Sequence, residues 1–210
     1  MSNYMPVEKI YNVEEFEKFV EAEIKKPGNE NNRYELIDGV IYMMANPTIT
    51  HYNVCKFIER AFDNYFGGKG CTVFNGSVSL NLFKGQQIPH KKKRKNYLTP
   101  DLMVICDKRA TEIDEGVFVT PDIVVEVISK SNAGTDYFKK LDTYFTFGIK
   151  EYWIVDPIKK KIRINDMTAN EVYDYTFDSV VESAIFGGLV IDFKKFTGFV
   201  DKGEEFNSHV

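Results

Sequence analysis

The sequence predicts an α/β fold, with a mixed central β-sheet flanked by α-helices and with additional antiparallel strands and hairpins. The apolar run IVVEVI at 123–128 carries apolar residues on both faces, as a central strand covered on each side does. A helical pattern at 135–147 and a strand-like run at 152–155 follow it. Such a strand-helix-strand unit normally joins parallel neighbours. Shorter strand-like runs elsewhere are expected to be antiparallel.

The N-terminal part is predicted to contain a helix followed by a hairpin. Asn12 and Glu15 have the spacing of a capping box at the start of a helix over 13–25. Asp38 and Gly39 separate two strand-like runs, and this dipeptide accepts the positive φ angles of a tight turn. The two strands are expected at 34–37 and 40–43.

The later elements follow from periodicity. Apolar residues recur at three- and four-residue spacing over 50–66, which is typical of an amphipathic helix. Strands are expected at 71–74, 78–83, 102–105, 162–164, 171–175 and 190–193, with a short closing helix. We expect a single domain overall, made of an N-terminal helix and linker, a main domain and a C-terminal tail at 1–32, 33–200 and 201–210.

Composition and charge restrict the classes of function. Hydrophobic residues make up 43% of the chain, so a core can form without a partner. A net charge of −4 argues against a surface that binds nucleic acid all over, so any such contact must be local. The N-terminus has no apolar signal core, and no stretch approaches the roughly 18 apolar residues of a membrane helix. We therefore expect a cytoplasmic protein with no membrane partner.

The cysteines give no sign of a disulfide framework or a zinc knuckle. Cys55, Cys71 and Cys106 lie far apart along the chain and lack a Cys-x-x-Cys spacing. We expect all three to be reduced, half-buried thiols.

Glu126 is the most informative residue of the sequence. It interrupts the apolar run at 123–128, where an unpaired buried charge costs several kcal/mol. Either a cation of the protein compensates this charge in a structural ion pair, or a metal ion does so in a functional site.

Asp101 supplies a second acid. It follows Pro100 at the start of the strand expected at 102–105, and it lies beside Glu126 if the two strands are neighbours about 4.8 Å apart. Two adjacent carboxylates repel each other unless they share a divalent cation such as Mg²⁺, which usually takes one or two carboxylates together with water and phosphate. Asp122 lies roughly 13 Å along the strand from Glu126, too far to share one ion.

The helix predicted at 135–147 is the expected source of a positive group. Phosphodiester hydrolysis needs such a group to stabilise the charge that develops on the phosphate. We assign the buried stripe of this helix to Tyr137, Phe138, Leu141, Tyr144 and Phe145. Lys139 then faces solvent, whereas Lys140 lies on the flank of the stripe and can reach back to the sheet edge. An ordinary boundary lysine would occupy the same place.

Other candidates for contact with the substrate are less specific. Lys92, Lys93 and Arg94 belong to a basic run at 90–95 that can meet phosphate, or can be a solvated surface loop. His51 can contact phosphate or water, although a helix-surface histidine without a catalytic role is the more common case.

Several motifs occur in order: YELIDG at 34–39, His51, TPDLMVICD at 99–107, TPDIVVEVISKSN at 120–132, a lysine before LDTY, and GIKEYWIVDP at 148–157. Together they resemble the Uma-two family of restriction endonucleases, within the PD-(D/E)xK nuclease superfamily. The resemblance extends over about residues 33–195. It implies a restriction endonuclease-like core in which Asp101 and Glu126 bind Mg²⁺ or Mn²⁺.

The chain departs from the superfamily pattern at one position. The pattern has lysine two residues after the second acid, where this chain has Ile128. The resemblance implies that the lysine has moved to Lys140 in the next helix, the residue that helix geometry also favours. Glu35 matches the family's N-terminal glutamate and is a candidate third acid, with a polar residue on a half-exposed hairpin as the alternative.

The expected function is therefore that of a metal-dependent DNA endonuclease. Asp101 and Glu126 would hold the metal, and Lys140 would stabilise the attacked phosphate and orient water. The alternative is a catalytically inactive module of the same fold that binds DNA or a protein partner. RNA is a further candidate substrate. We expect a homodimer, because two strands have to be cut and twofold dimers are the commonest oligomers, but the sequence identifies no interface.

Overall fold

The computed structural model describes residues 9–44, 46–84, 87–112, 114–129 and 136–198. The predicted tail at 201–210 lies outside the described residues. The helices and strands, in chain order, are α1 (Val13–Ile24), β1 (Arg33–Ile37), β2 (Val40–Met44), α2 (Ile49–Phe66), β3 (Thr72–Asn75), β4 (Leu102–Ile105), β5 (Ile123–Val127), α3 (Asp136–Thr146), β6 (Glu151–Asp156), β7 (Lys161–Asp166), β8 (Glu171–Thr176), β9 (Val180–Glu182) and β10 (Val190–Asp192).

A six-stranded mixed sheet forms the centre and confirms the predicted α/β class. Its strand order is β3-β4-β5-β6-β7-β8. The strands β5 and β6 run parallel and are joined by α3, and the other neighbours in this sheet are antiparallel. As predicted, β5 lies inside the sheet, and its residues are buried apart from the partly exposed Glu126.

Apolar layers cover both faces of the sheet. Because side chains alternate along a strand, Val125 packs in one layer with Trp153 and with Phe62 of α2. Val124 packs in the other layer with Tyr144 of α3. The two helices therefore lie on opposite faces, and polar side chains can meet between them only where the sheet ends.

The N-terminal elements form as their local signals predict. Asn12 accepts a hydrogen bond from the backbone N–H of Glu15 at 3.0 Å, and Glu15 accepts one from Asn12 at 3.1 Å. Asp38 and Gly39 have φ angles of 49° and 84° in the turn between β1 and β2. A Cβ added to Gly39 would lie 2.5 Å from a methyl carbon of Ile10, so a side chain is excluded there by space as well as by conformation.

Two predictions about individual elements are wrong. Residues 78–83 form no strand, because Leu80 makes only isolated bridges, to Leu98 and Val117. The buried stripe of α3 is also misplaced, since Phe145 is 58% exposed whereas Thr143 is buried. The helix is rotated about its axis relative to the prediction, and hydrogen bonds of its polar side chains explain this difference.

The hydroxyl group of Thr143 donates a hydrogen bond to Asp38 Oδ2 at 3.0 Å, and Lys140 points inward beside it. The stripe was predicted from apolar residues alone, which leaves polar partners out of account. Phe145 was therefore assigned to the buried side of α3. The side chains of Tyr137 and Phe138, which were assigned to the same stripe, lie outside the described residues.

The expectation of three reduced thiols is wrong for two of the cysteines. The pairing of Thr72 with Ile105 continues outward to Cys71 and Cys106, which form a disulfide with their Cα atoms 4.0 Å apart. Spacing along the chain did not indicate this pair, because the register of two strands brings the cysteines together. Cys55 is a free thiol.

Among the described residues, none of the helices combines the length and the apolar character that crossing a bilayer requires.

We predict that reduction of the Cys71–Cys106 disulfide lowers the free energy of unfolding by about 2–4 kcal/mol, because the bond closes a loop with a sequence separation of 35 residues. Urea denaturation with and without a reductant measures this difference. The double variant Cys71→Ser/Cys106→Ser is the control, since a reductant should leave its midpoint unchanged. An equal midpoint for the oxidised and reduced parent chain would contradict the prediction.

Candidate active site

Two acids meet where β4 begins and β5 ends. Leu102 pairs with Val125, so Asp101 and Glu126 are the next residues across this antiparallel pair. The backbone N–H of Val127 donates a hydrogen bond to Asp101 Oδ2 at 2.7 Å, which fixes the carboxylate at the end of β5. The predicted adjacency of the two acids agrees with this register.

Lys140 of α3 lies between two carboxylates. Its Nζ atom donates a hydrogen bond to Glu126 Oε1 at 2.9 Å and lies 2.8 Å from Glu35 Oε2. The hydroxyl group of Tyr144 donates to the same Glu126 Oε1 at 2.8 Å. Only 9% of the Lys140 side chain is exposed, so this lysine is part of a buried network and not a boundary residue.

Glu35 enters the network from β1. It is buried, and its Oε1 accepts a hydrogen bond from the backbone N–H of Thr99 at 2.8 Å. The alternative reading, a polar residue on a half-exposed hairpin, does not describe this environment. One oxygen of Glu35 is therefore bonded to the chain segment just before Asp101, and the other oxygen contacts Lys140.

Burial raises the pKa of Glu126 to about 7; the charge of Lys140 opposes this shift, and the charges of Asp101 and Glu35 add to it. Burial acts to lower the pKa of Lys140, but the two glutamates outweigh burial, and the net shift is upward. Lys140 therefore stays protonated. Glu35 and Glu126 both contact this ammonium group, and Asp101 adds a third carboxylate beside Glu126.

The wall of the site opposite Lys140 is formed by α2. Nε2 of His51 lies 3.1 Å from Asp101 Oδ2, and Nδ1 lies 3.6 Å from Cys55 Sγ. Burial acts to lower the pKa of His51, but the hydrogen bond and charge of Asp101 raise it above the ordinary value, with a further contribution from Glu126. Burial raises the pKa of the Cys55 thiol. His51 is thus a partner of Asp101 and not an isolated surface residue.

These side chains line a pocket of about 270 Å³, which we call the acid pocket. Its polar walls include Glu35 on β1, His51 and Cys55 on α2, Asp101 before β4, Glu126 on β5 and Lys140 on α3, with Arg33, Lys56 and Glu59 further out among the lining residues. Residues far apart in the sequence therefore converge at one end of the sheet.

The donor set of the acid pocket suits a hard divalent cation. Mg²⁺ and Mn²⁺ prefer carboxylate oxygens, and adjacent strands present one carboxylate each. The side chains of Asp101 and Glu126 are 18% and 15% exposed, so they can reach an ion and its water. Glu35 is held by Lys140 and by the backbone of Thr99, and it is better placed to orient Lys140 than to bind a metal.

The basic run lies apart from these side chains. Lys91 is bonded to Glu17 of α1 at 2.6 Å, and Lys92 Nζ lies 4.0 Å from Glu14. Lys93 is exposed, and neither Lys92 nor Lys93 lines the acid pocket. The structure therefore offers no support for their predicted contact with phosphate at this site.

Arg94 is buried, which does not fit the predicted contact with phosphate. Its Nη1 donates a hydrogen bond to Asn81 at 2.5 Å, and its guanidinium lies over the ring of Phe118 at 5.2 Å. These contacts indicate that Arg94 acts within the fold.

Sequence reasoning missed two side chains of the site, Tyr144 and Cys55. Tyr144 lies four residues after Lys140, and Cys55 lies four residues after His51, so each pair shares one helix face. This four-residue spacing is the feature of the sequence that could have indicated both side chains. Tyr144 was assigned to the apolar stripe, and Cys55 was expected to be an ordinary reduced thiol.

Comparison with known proteins gives a family and a fold. The model of the Uma2 family, described as "putative restriction endonuclease", matches residues 13–193. An uncharacterised protein of Synechocystis sp., slr1290, is 28% identical over 116 residues, which are 55% of this chain and 55% of that protein. A second one, sll1609, is 23% identical over 135 residues, 63% of this chain and 71% of that protein. The chain therefore spans about half the length of slr1290.

A solved structure shares the fold. The crystal structure of a "putative nuclease belonging to DUF820" from Anabaena variabilis has a TM-score of 0.64 and 17% sequence identity. The match covers 82% of this chain and 88% of that one. At this identity the likeness shows a common fold.

We predict that Lys140→Met lowers the free energy of unfolding by about 3–5 kcal/mol above pH 7, because Glu126 and Glu35 lose the cation between them. The loss should shrink as the pH falls through about 7, since protonation of Glu126 then removes its charge. Denaturation at pH 6 and pH 8 measures both effects.

The matched control is Lys139→Met, because Lys139 is the exposed neighbour and contacts the hydroxyl group of Tyr42. It should change stability by no more than about 0.5 kcal/mol. Equal effects of the two substitutions would refute a buried role for Lys140.

Proposed function

We propose that this chain, which belongs to the Uma2 family, is a divalent-metal-dependent endonuclease that hydrolyses phosphodiester bonds of DNA. The observation that carries the proposal is the convergence of Asp101, Glu126 and Lys140 in one pocket of a nuclease-like fold. An acid pair and an amine are what metal-assisted attack on a phosphate requires.

Asp101 and Glu126 are the residues that we assign to a Mg²⁺ or Mn²⁺ ion. Val127 and His51 hold Asp101, and Lys140 and Tyr144 hold Glu126. These partners position both carboxylates before any ion binds. A bound hard cation supplies Lewis-acid stabilisation of the phosphate and a water of lowered pKa.

Lys140 is the group that we assign to the attacked phosphate. An ammonium group has three N–H donors, and Glu126 and Glu35 account for two of them. We assign the third donor to the attacking water or to a phosphate oxygen. Its two acids keep it protonated in spite of its burial, so it can stabilise the negative charge of the transition state.

The surplus of carboxylates also bears on substrate binding. Phosphate is repelled by three neighbouring acids, so we expect DNA to approach the acid pocket productively only when a metal ion offsets their charge. Metal ion and substrate should therefore bind cooperatively.

A catalytically inactive module that binds DNA or a protein partner is the second candidate. It is favoured by one observation, that both acids already have partners within the chain, since Glu126 is bonded to Lys140 and Asp101 to Val127. The two candidate functions differ in metal binding, because an inactive module does not need a hard cation at Asp101 and Glu126.

We predict that Asp101→Asn and Glu126→Gln each reduce DNA cleavage at least about 100-fold, because each removes a carboxylate from the metal site. Nicking of supercoiled plasmid with Mg²⁺ or Mn²⁺ is the assay, with single-stranded DNA and RNA as further substrates. Asp122→Asn is the matched control, since Asp122 lies just before β5, at the other end of the strand from Glu126, and pairs with Lys150. Undiminished cleavage by the first two variants would remove these acids from the mechanism.

Metal affinity should rise with pH. With a pKa of about 7, Glu126 has to lose a proton before it can bind a cation, so the affinity for Mn²⁺ should fall about tenfold for each pH unit below 7 and level off above it. Calorimetric titration between pH 5.5 and pH 8.5 measures this dependence. Glu126→Gln should flatten it. Absence of Mn²⁺ binding at every pH would favour the inactive module.

A further inference from the structure

One wall of the acid pocket carries ligands of a different chemical kind. His51 and Cys55 lie on one face of α2 and present a nitrogen and a sulfur atom towards Asp101. Their donor atoms and an oxygen of Asp101 all lie within 4.8 Å of one another. The proposed nuclease chemistry makes no use of the thiol.

The spacing of these atoms suits a tetrahedral ion. Zinc–nitrogen and zinc–sulfur bonds of about 2.0 and 2.3 Å at a tetrahedral angle place the two donors about 3.5 Å apart. The observed distance from His51 Nδ1 to Cys55 Sγ is 3.6 Å. The Asp101 oxygen lies on the other imidazole nitrogen, so it becomes the third ligand when the ring turns, and the pocket admits water as the fourth.

We propose that His51, Cys55 and Asp101 form a second metal site, selective for thiophilic divalent ions such as Zn²⁺ and Co²⁺. In the metal-free chain the imidazole contacts both Asp101 and Cys55. Metal binding replaces these contacts, with one imidazole nitrogen, the sulfur of Cys55 and one Asp101 oxygen bonded to the ion. The thiol proton and any imidazolium proton leave to solvent.

The sulfur ligand is what separates this site from the acid pair. Mg²⁺ rarely binds thiolate, whereas Zn²⁺ and Co²⁺ accept nitrogen, oxygen and sulfur together. The other two cysteines of the chain, Cys71 and Cys106, are joined in a disulfide. Cys55 is therefore the thiol available for such an ion.

Both metal sites would use Asp101, so the two ions compete for it; the effect on cleavage rests on the proposed function. An ion bound to His51 and Cys55 holds an oxygen of Asp101 that the acid pair needs for Mg²⁺. Zn²⁺ should therefore inhibit Mg²⁺-dependent cleavage at concentrations far below that of Mg²⁺. Two neighbouring divalent ions would also repel each other.

Titration of the full chain with Co²⁺, followed by absorption spectroscopy, tests binding without any reference to cleavage. We expect a thiolate-to-cobalt charge-transfer band in the near ultraviolet and visible bands of tetrahedral Co²⁺. Cys55→Ser should abolish the charge-transfer band and weaken Co²⁺ binding at least about tenfold, and His51→Asn should weaken it similarly. Circular dichroism establishes that each variant is folded.

Two control variants separate the sites and the thiols. Cys71→Ser/Cys106→Ser should keep the band, which excludes a reduced disulfide as its source. Glu126→Gln should also keep it, although it weakens binding of Mn²⁺ at the acid pair. A band that persists in Cys55→Ser, or a parent chain that shows no band at saturating Co²⁺, would overturn the proposal.

Inhibition by Zn²⁺ is measured against the Mg²⁺-dependent activity of each variant without zinc. A chain that binds Co²⁺ through Cys55 but cleaves no DNA would refute the proposed function and leave the thiophilic site intact. A chain that cleaves DNA but shows no charge-transfer band would refute the thiophilic site alone.

Discussion

A buried ammonium group joins three distant parts of the chain. Lys140 on α3 contacts Glu35 on β1 and Glu126 on β5, and its neighbour on the helix face, Tyr144, bonds to the same oxygen of Glu126. Removal of the ammonium charge would leave two buried carboxylates without their cation, which is strongly destabilising. The orientation of α3, the position of the hairpin and the geometry of the acid pocket all depend on this interaction.

The same network explains how an acid can interrupt the apolar strand at the centre of the sheet. Glu126 lies near the end of β5, where the cover given by α3 consists of an amine and a hydroxyl group in place of apolar side chains. Asp101 is fixed on the neighbouring strand by the backbone of Val127. Lys140 offsets one of the nearby carboxylates, and the remaining negative charge is what favours a cation in the proposed mechanism.

The pocket has two chemically different sides that meet at Asp101. The side formed by the sheet and α3 presents oxygen donors and an amine, and the side formed by α2 presents an imidazole and a thiol. Oxygen donors favour hard cations, and a set that includes sulfur favours thiophilic ones. The identity of the ion at this pocket would then depend on which side takes Asp101.

The sequence by itself determined the features that depend on neighbours along the chain, such as the capping box of Asn12 and Glu15, the turn at Asp38 and Gly39, and the central strand of the α/β sheet. Register and helix rotation were decided only by the tertiary structure, because they depend on partners far away in sequence. They joined Cys71 to Cys106, turned Thr143 inward and Phe145 outward, set His51 against Asp101 and buried Arg94. The spacing of apolar side chains indicates which face of a helix is apolar. It does not indicate a polar partner that only folding brings within reach.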